Sequence, residues 1–207
     1  MKRLLFICTI VCVSCAPKIF KPEWVSEKSP EKFTARFETT KGIFDIEIER
    51  KWSPQAADRM YQLVKHHYFD DAVFYRVVPG FVVQFGGSDS VKNQAWQKNI
   101  VPDEPVLLSN KKGTLSFARS GKDSRSADVY INLADNLRLD TFDYSGVKGF
   151  PAFGMVTKGM DVVESLYDGY GEKTMDKLDT MYINRTRFLG MFPELDKINK
   201  AYILKRR

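Results

Sequence analysis

Arg76 and Gln84 stand as a lone guanidinium and a lone amide in the run Phe74-Tyr75-Arg76-Val77-Val78-Pro79-Gly80-Phe81-Val82-Val83-Gln84-Phe85-Gly86-Gly87, which otherwise reads as core. A guanidinium among apolar residues is unfavourable unless something pairs with it, so Arg76 needs a partner or a task. Gln84 alone would pass for a satisfied strand amide. Signatures of bond-breaking chemistry are missing: there is no Gly-rich phosphate loop after a strand, no Gly-x-Ser-x-Gly and no His-Glu-x-x-His. The two histidines, His66 and His67, are adjacent at the end of an expected helix and point about 100° apart, which suits surface or capping roles rather than a metal pair. Carboxylates are plentiful, but no pair stands out for acid-base work. What remains is chemistry by hydrogen bond and charge, from an arginine over apolar surroundings.

The run resembles the signature of the cyclophilins, Phe-x-Arg-x-x-Pro-x-Phe-x-x-Gln-x-Gly-Gly, with every fixed position present, and the likeness extends from about Phe33 to Leu166. It implies peptidyl-prolyl cis/trans isomerisation, which breaks no covalent bond. The barrier of ~18–20 kcal/mol exists because the amide nitrogen donates its lone pair into the carbonyl. A catalyst must loosen that donation and favour the twisted amide. One charge-assisted hydrogen bond contributes ~1.5–3 kcal/mol, or one to two factors of ten in rate. The rest must come from a dry pocket that holds the proline ring.

Residue by residue, the resemblance makes Arg76 the catalytic arginine and Gln84 the amide that orients it, with Phe81 and Val82 lining the proline pocket. Gly113 to Arg119 resembles the strand and loop that bind substrate backbone, bringing in Ala118 and Arg119. Ala127 to Asn132 resembles the family's Ser/Ala-Gln-Phe-Phe-Ile and places Tyr130 at the pocket Phe. Leu139 matches the pocket Leu, and Phe150, ahead of Ala152-Phe153-Gly154, matches a ring at the rim. Taken singly, Phe81, Tyr130, Leu139 and Phe150 would be ordinary core residues. Two positions depart from the family. Asp128 stands where it has Gln and is expected beside Arg76 in the groove; Arg138 stands near where many eukaryotic members have a rim Trp. The resemblance implies no cofactor and no metal, and the partners expected are proline-containing polypeptides met by a monomer. A non-catalytic proline-peptide-binding module is the alternative, and fold alone would not decide between them.

These residues need a scaffold. Phe44, Ile46 and Ile48 alternate with Asp45, Glu47 and Glu49, as in a strand with one wet face, and Lys41-Gly42 marks the turn before it. Ser53-Pro54 is a helix start, with Ser as N-cap and Pro at the first helical position, and Ala57, Met60, Leu63 and Val64 keep helical spacing. Strands are predicted at 73–77, 81–85, 113–118, 129–133 and 153–156, a second short helix at 159–166, and a helix and closing strand within 184–207. The order suits an all-β fold: a closed eight-stranded antiparallel barrel capped by two helices, with a short C-terminal helical extension.

The chain has 207 residues and a formal net charge of +6. Residues 1–32 hold six Lys/Arg against three Asp/Glu, and residues 184–207 hold seven against two. The excess therefore lies in the ends rather than in a stripe on the folded part, which argues against a nucleic-acid partner. All three cysteines, Cys8, Cys12 and Cys15, precede the domain. Met1-Lys2-Arg3 and the apolar run from Leu4 to Val13 read as a secretion signal, too short to span a bilayer. Ser14-Cys15 resembles a bacterial lipoprotein box, although Cys12 sits where that box has Leu. The expected organisation is a lipoprotein signal over 1–15 ending at a lipidated Cys15, a flexible tether over 16–32, and the domain over 33–207 with an extension from about 170. A membrane partner through the lipid and a place in the bacterial cell envelope, periplasmic or outer-membrane, follow from that reading.

Overall fold

The computed structural model describes residues 20–87 and 90–206. Strand β1 (Lys32–Thr39) buries every second residue, so Phe33, Ala35 and Phe37 face the core. A turn closed by Thr39 N–H on the Gly42 carbonyl (2.8 Å), with Gly42 at φ 140°, leads into β2 (Ile43–Glu49). The two pair antiparallel, and partners Phe37 and Phe44 stack with ring centroids 5.0 Å apart. Helix α1 (Pro54–Lys65) begins at the proline, as its sequence dictates. Ser53 does not cap it directly. The Glu104 carboxylate accepts from the N–H groups of Gln55 (2.9 Å) and Ala56 (3.2 Å), and the Ser53 hydroxyl donates to that carboxylate. The fully buried Arg125 pairs with Glu104 (3.0 Å), so a loop some fifty residues on completes the cap.

Strands β3 (Val73–Val78), β4 (Val82–Gly86), β5 (Thr114–Phe117) and β6 (Val129–Asn132) follow, then a small hairpin of β7 (Asp143–Tyr144) and β8 (Val147–Lys148), and β9 (Ala152–Lys158). The chain ends in β10 (Ile198–Arg206). The eight-stranded sheet runs β10-β1-β2-β9-β5-β6-β4-β3, antiparallel throughout. Curling it buries one face around a cluster that includes Phe37, Phe44, Phe69, Phe74 and Phe85.

Two expectations need correction. The sheet is curled and open, not a closed barrel: its edges β3 and β10 share no ladder. They touch where β10 begins, through the Val73–Lys197 bridge and the bonds Phe74 N–H to Asp196 O (3.0 Å) and Ile198 N–H to Ala72 O (2.8 Å). The remainder of β10 is committed to β1, and the outer side of β3 is covered by the extension. One helix also exceeds the expectation, α2 (Ser90–Gln97), whereas α3 (Met160–Glu164) falls within the predicted second helix and α4 (Leu178–Ile183) and α5 (Arg185–Met191) within the predicted helical extension. Met181, Phe188, Phe192 and Leu195 from the extension pack on Val73 and Tyr75, forming a second core on the outside of the sheet.

The expected tether is corrected too, from residue 20 onward. Phe20 and Trp24 lie against Trp96 and His66, and the Trp24 and His66 rings stack at 3.9 Å. The Gln62 amide donates to the carbonyls of Val25 (3.1 Å) and Glu27 (2.7 Å), and Ser29 bonds Asp58 through both backbone and hydroxyl. Aromatic area and satisfied backbone groups fix this segment on α1. The signal reading, Cys15 and residues 16–19 lie outside the described residues.

Candidate active site

Register places the polar residues. Along β4, Val83 and Phe85 enter the core, so Val82 and Gln84 face outward. Gln84 pairs across the sheet with Arg76 on β3 and with Tyr130 on β6, and Tyr130 pairs with Ser116 on β5. Arg76, Gln84, Tyr130 and Ser116 thus form one row over four strands. Between Val73 and Arg76 two residues of β3, Phe74 and Tyr75, oppose one of β4, Phe85. Such a bulge re-aims side chains: Phe74 and Val77 stay in the core while Arg76 reaches the rim.

Over this row lies a cavity of about 420 Å³, lined by Arg76, Phe81, Val82, Gln84, Ala118, Arg119, Tyr130, Arg138, Leu139 and Phe150. All but one of the groove residues read from sequence are brought together here. Val82, Tyr130 and Leu139 are its buried floor, with Phe81, Ala118 and Phe150 packed around them. Tyr130 and Phe150 meet edge to face at 6.3 Å. Burial pushes the Tyr130 hydroxyl well above its ordinary pKa, so it stays a neutral donor.

Arg76 Nη1 donates to Gln84 Oε1 (3.1 Å), and its guanidinium carbon lies 5.3 Å from the centre of the Phe81 ring. Its other partner was not foreseen. Glu172, from the extension, accepts from Arg76 Nε (2.9 Å) and Nη2 (2.6 Å). Arg138, exposed at the rim, holds its guanidinium carbon 5.1 Å from the centre of the same ring, so that Phe81 meets two cations.

Arg119 lines the cavity but works as a strut. Its side chain is 1% exposed, its Nη1 and Nη2 donate to the carbonyls of Gly149 (2.5 Å) and Val147 (2.7 Å), and it lies under the Phe150 ring at 4.1 Å. Its donors hold the rim loop rather than reach for a ligand's backbone.

Asp128 is the correction. It does not line the cavity. Its half-buried carboxylate accepts from Tyr75 (3.1 Å) and Tyr182 (3.0 Å), with the Gln97 amide at 3.5 Å, and it touches neither Arg76 nor Arg138. Asp128 shares a sheet face with Tyr130, but one step farther along, where the extension covers the sheet. Gly86, across from it, leaves the room it needs: a Cβ there would meet the carboxylate, as one at Gly87 would meet Met181. Burial without a counter-ion pushes the Asp128 carboxyl up to about 6, against the pull of the two tyrosine hydroxyls.

Asn110 was missed and organises the floor. Fully buried, its Oδ1 accepts from Ser116 (3.2 Å), Tyr130 (3.0 Å) and Asn132 (3.1 Å), while its Nδ2 donates to Asp140 (2.8 Å) and the Phe150 carbonyl (2.7 Å). One amide so ties the sheet to the two loops that carry Leu139 and Phe150. Phe142, Tyr144 and Met175 also line the cavity unforeseen. The two aromatics alternate just ahead of the Ser145-Gly146 turn, a hairpin signal that could have been read.

Arginine on an apolar cavity, with no nucleophile or acid-base pair among its lining residues, defines a site that binds and reorients rather than cleaves. Residues 34–188 match the family model described as cyclophilin type peptidyl-prolyl cis-trans isomerase/CLD, and the chain belongs to that family. It is 35% identical over 130 residues to a peptidyl-prolyl cis-trans isomerase of Acinetobacter baylyi, covering 62% of this chain and 68% of the relative. Identity to peptidyl-prolyl cis-trans isomerase A of Dickeya dadantii is 33% over 130 residues, with 62% and 67% covered. Among solved structures, a Cryptosporidium parvum cyclophilin type isomerase, crystallised in the presence of the dipeptide Ala-Pro, superposes with a TM-score of 0.60 at 18% identity, covering 84% of this chain and 99% of that one. The protein is therefore an enzyme, a cyclophilin-type peptidyl-prolyl cis-trans isomerase, and the non-catalytic alternative falls away.

Proposed function

We propose that the enzyme turns Xaa-Pro bonds of exported polypeptides by seating the proline ring on Val82, Tyr130, Leu139 and Phe150 while Arg76 donates to the twisting amide. As the bond rotates, the prolyl nitrogen regains its lone pair and becomes an acceptor, so an N–H aimed at it is stronger in the transition state than in either ground state. That bond supplies ~1.5–3 kcal/mol. The apolar floor contributes further by excluding water and holding the ring while the carbonyl swings. The observation that carries this reading is the position of the Arg76 guanidinium at the edge of an apolar cavity, whereas Arg119, which also lines it, donates to the carbonyls of the rim loop. Exchange NMR on an Xaa-Pro peptide tests it: catalytic amounts of protein accelerate a reaction that otherwise takes tens of seconds or more. Arg76→Ala removes most of the acceleration. An undiminished rate in that variant would refute the role of Arg76.

The setting we propose is the bacterial cell envelope, with Cys15 lipidated as the mature N-terminus, the protein acting there as a monomer. The charged start, the short apolar run and Ser14-Cys15 support it. Cys15→Ala is expected to abolish membrane fractionation or leave the signal uncleaved. A mature N-terminus downstream of Cys15 and free of lipid, found by mass spectrometry, would end this reading.

A further inference from the structure

The C-terminal extension delivers a carboxylate onto the guanidinium at the site. Glu172 grips Arg76 side-on, its Oε2 on Nε at 2.9 Å and its Oε1 on Nη2 at 2.6 Å. Gln84 takes one N–H of Nη1 at 3.1 Å. A guanidinium carries five N–H groups. Three are committed, and among the described residues one remains on each terminal nitrogen. The grip therefore does not exhaust the donors. It fixes the plane of the group and leaves its end for a ligand, as bidentate carboxylates do elsewhere.

The carboxylate is itself held in place. Its loop is tightened by Lys173 N–H to Tyr170 O (3.0 Å) and Met175 N–H to Glu172 O (2.9 Å). Two residues on, the fully buried Thr174 hydroxyl donates to the carbonyl of Tyr75, the neighbour of Arg76 on β3. Tyr170 and Met175 pack into the second core, against Val73 and Tyr75. The extension is thus bolted to the strand at the residue before the arginine. A surface ion pair between two free long side chains contributes little because both must be ordered to form it. Here Gln84, the Phe81 ring and the bolted loop have already done much of that ordering.

We propose that Glu172 is a positioning residue for isomerisation: with Gln84 it sets the plane of the Arg76 guanidinium, so that the extension is part of the working site. The inference rests on the role of Arg76 proposed above. It opposes a natural alternative, that the carboxylate competes with substrate for the arginine. A competitor raises KM and its removal speeds the enzyme; a positioning group, when lost, leaves the arginine mobile and slows the turnover step.

The test compares wild type, Glu172→Ala, Glu172→Gln, Arg76→Ala and the double variant Arg76→Ala/Glu172→Ala, by exchange rates on one neutral Xaa-Pro peptide over a range of concentrations. Glu172→Ala is expected to lower kcat roughly 2- to 5-fold with little change in KM, the scale of one well-formed ion pair. Glu172→Gln, which keeps one acceptor, falls between alanine and wild type. In the Arg76→Ala background the Glu172 substitution has no further effect, a coupling that a merely structural role would not produce. Glu172 is 59% exposed on its side chain, and thermal unfolding of each variant verifies that the fold persists. A kcat unchanged or raised in Glu172→Ala, or an equal further loss in the double variant, overturns the proposal. If Arg76→Ala itself retains full activity, it is the arginine mechanism that fails first, and the two failures are thereby told apart.

Discussion

The Tyr182 hydroxyl on α4 donates to Asp128 Oδ2 at 3.0 Å, which fastens the C-terminal extension to the entry of β6 through one carboxylate. Tyr75 holds the other oxygen at 3.1 Å, and burial pushes both tyrosine hydroxyls well above their ordinary range. Both remain donors across the accessible pH range, so the carboxylate is the group that titrates.

Its pH effect has a definite sign. Asp128 is pushed up to about 6 in the folded protein, above the ordinary value of 3.8. The folded state therefore binds a proton more readily than the unfolded one, and the stability this contributes is fully present below about pH 4 and lost as pH rises through 6. A shift of this size corresponds to ~3 kcal/mol between the two limits. Asp128→Asn keeps the shape and removes the titration. Urea midpoints should gain more from this substitution at pH 8 than at pH 5; an equal effect at both would show that Asp128 does not carry the raised carboxyl.

Arg76→Lys separates charge from fork. An ammonium cannot hold Glu172 side-on, bond Gln84 and face a ligand at once. We expect kcat to fall by roughly tenfold, the loss of one charge-assisted bond, with KM nearly kept. Steady-state exchange kinetics on a short proline peptide decide this.

Asn110→Ala should damage stability and binding together. The substitution leaves the Asp140 carboxylate and Phe150 carbonyl short of a donor, and Tyr130 and Asn132 short of an acceptor. Each such buried group costs about 1–3 kcal/mol unless water replaces the partner. A drop of ~3 kcal/mol in unfolding free energy and a raised KM are expected, because Leu139 and Phe150 lose their tie to the floor. Unchanged KM in a destabilised protein would make Asn110 a stability residue alone.

Trp24→Ala should do the opposite, lowering stability by ~1–2 kcal/mol while leaving kcat/KM untouched. Its ring stacks on His66, away from the cavity residues. Denaturant unfolding and exchange kinetics on the same sample check both halves.

What could be read from the sequence was local. The signature run lies within fourteen positions and folds into one hairpin, so its alternation already implies that Val82 and Gln84 share a face. Leu139 and Phe150 became legible through the family pattern, not through periodicity. Other features depend on distant partners: Glu172 meets Arg76 across 96 positions, and Asn110 reaches Phe150 across 40. Nothing near Glu172 in sequence marks it out. Asp128 shares the face of Tyr130 that the alternation implies, but its neighbours come from the extension, whose Tyr182 lies fifty-four positions later. Residues 20–32 look like a linker by their Pro, Lys and Glu content, yet Phe20 and Trp24 supply enough ring area to hold them down.

That docked segment shortens the leash. If Cys15 bears the lipid as we propose, the chain between it and the packed Phe20 spans at most about 17 Å, whereas a free stretch to residue 32 would have allowed about 60 Å. The domain would ride on the bilayer surface like a stud rather than swing from it like a tethered float. Its clients would then be chains passing within a molecular diameter of the lipid headgroups, and the enzyme would serve polypeptides at the membrane plane rather than those already released into the surrounding space.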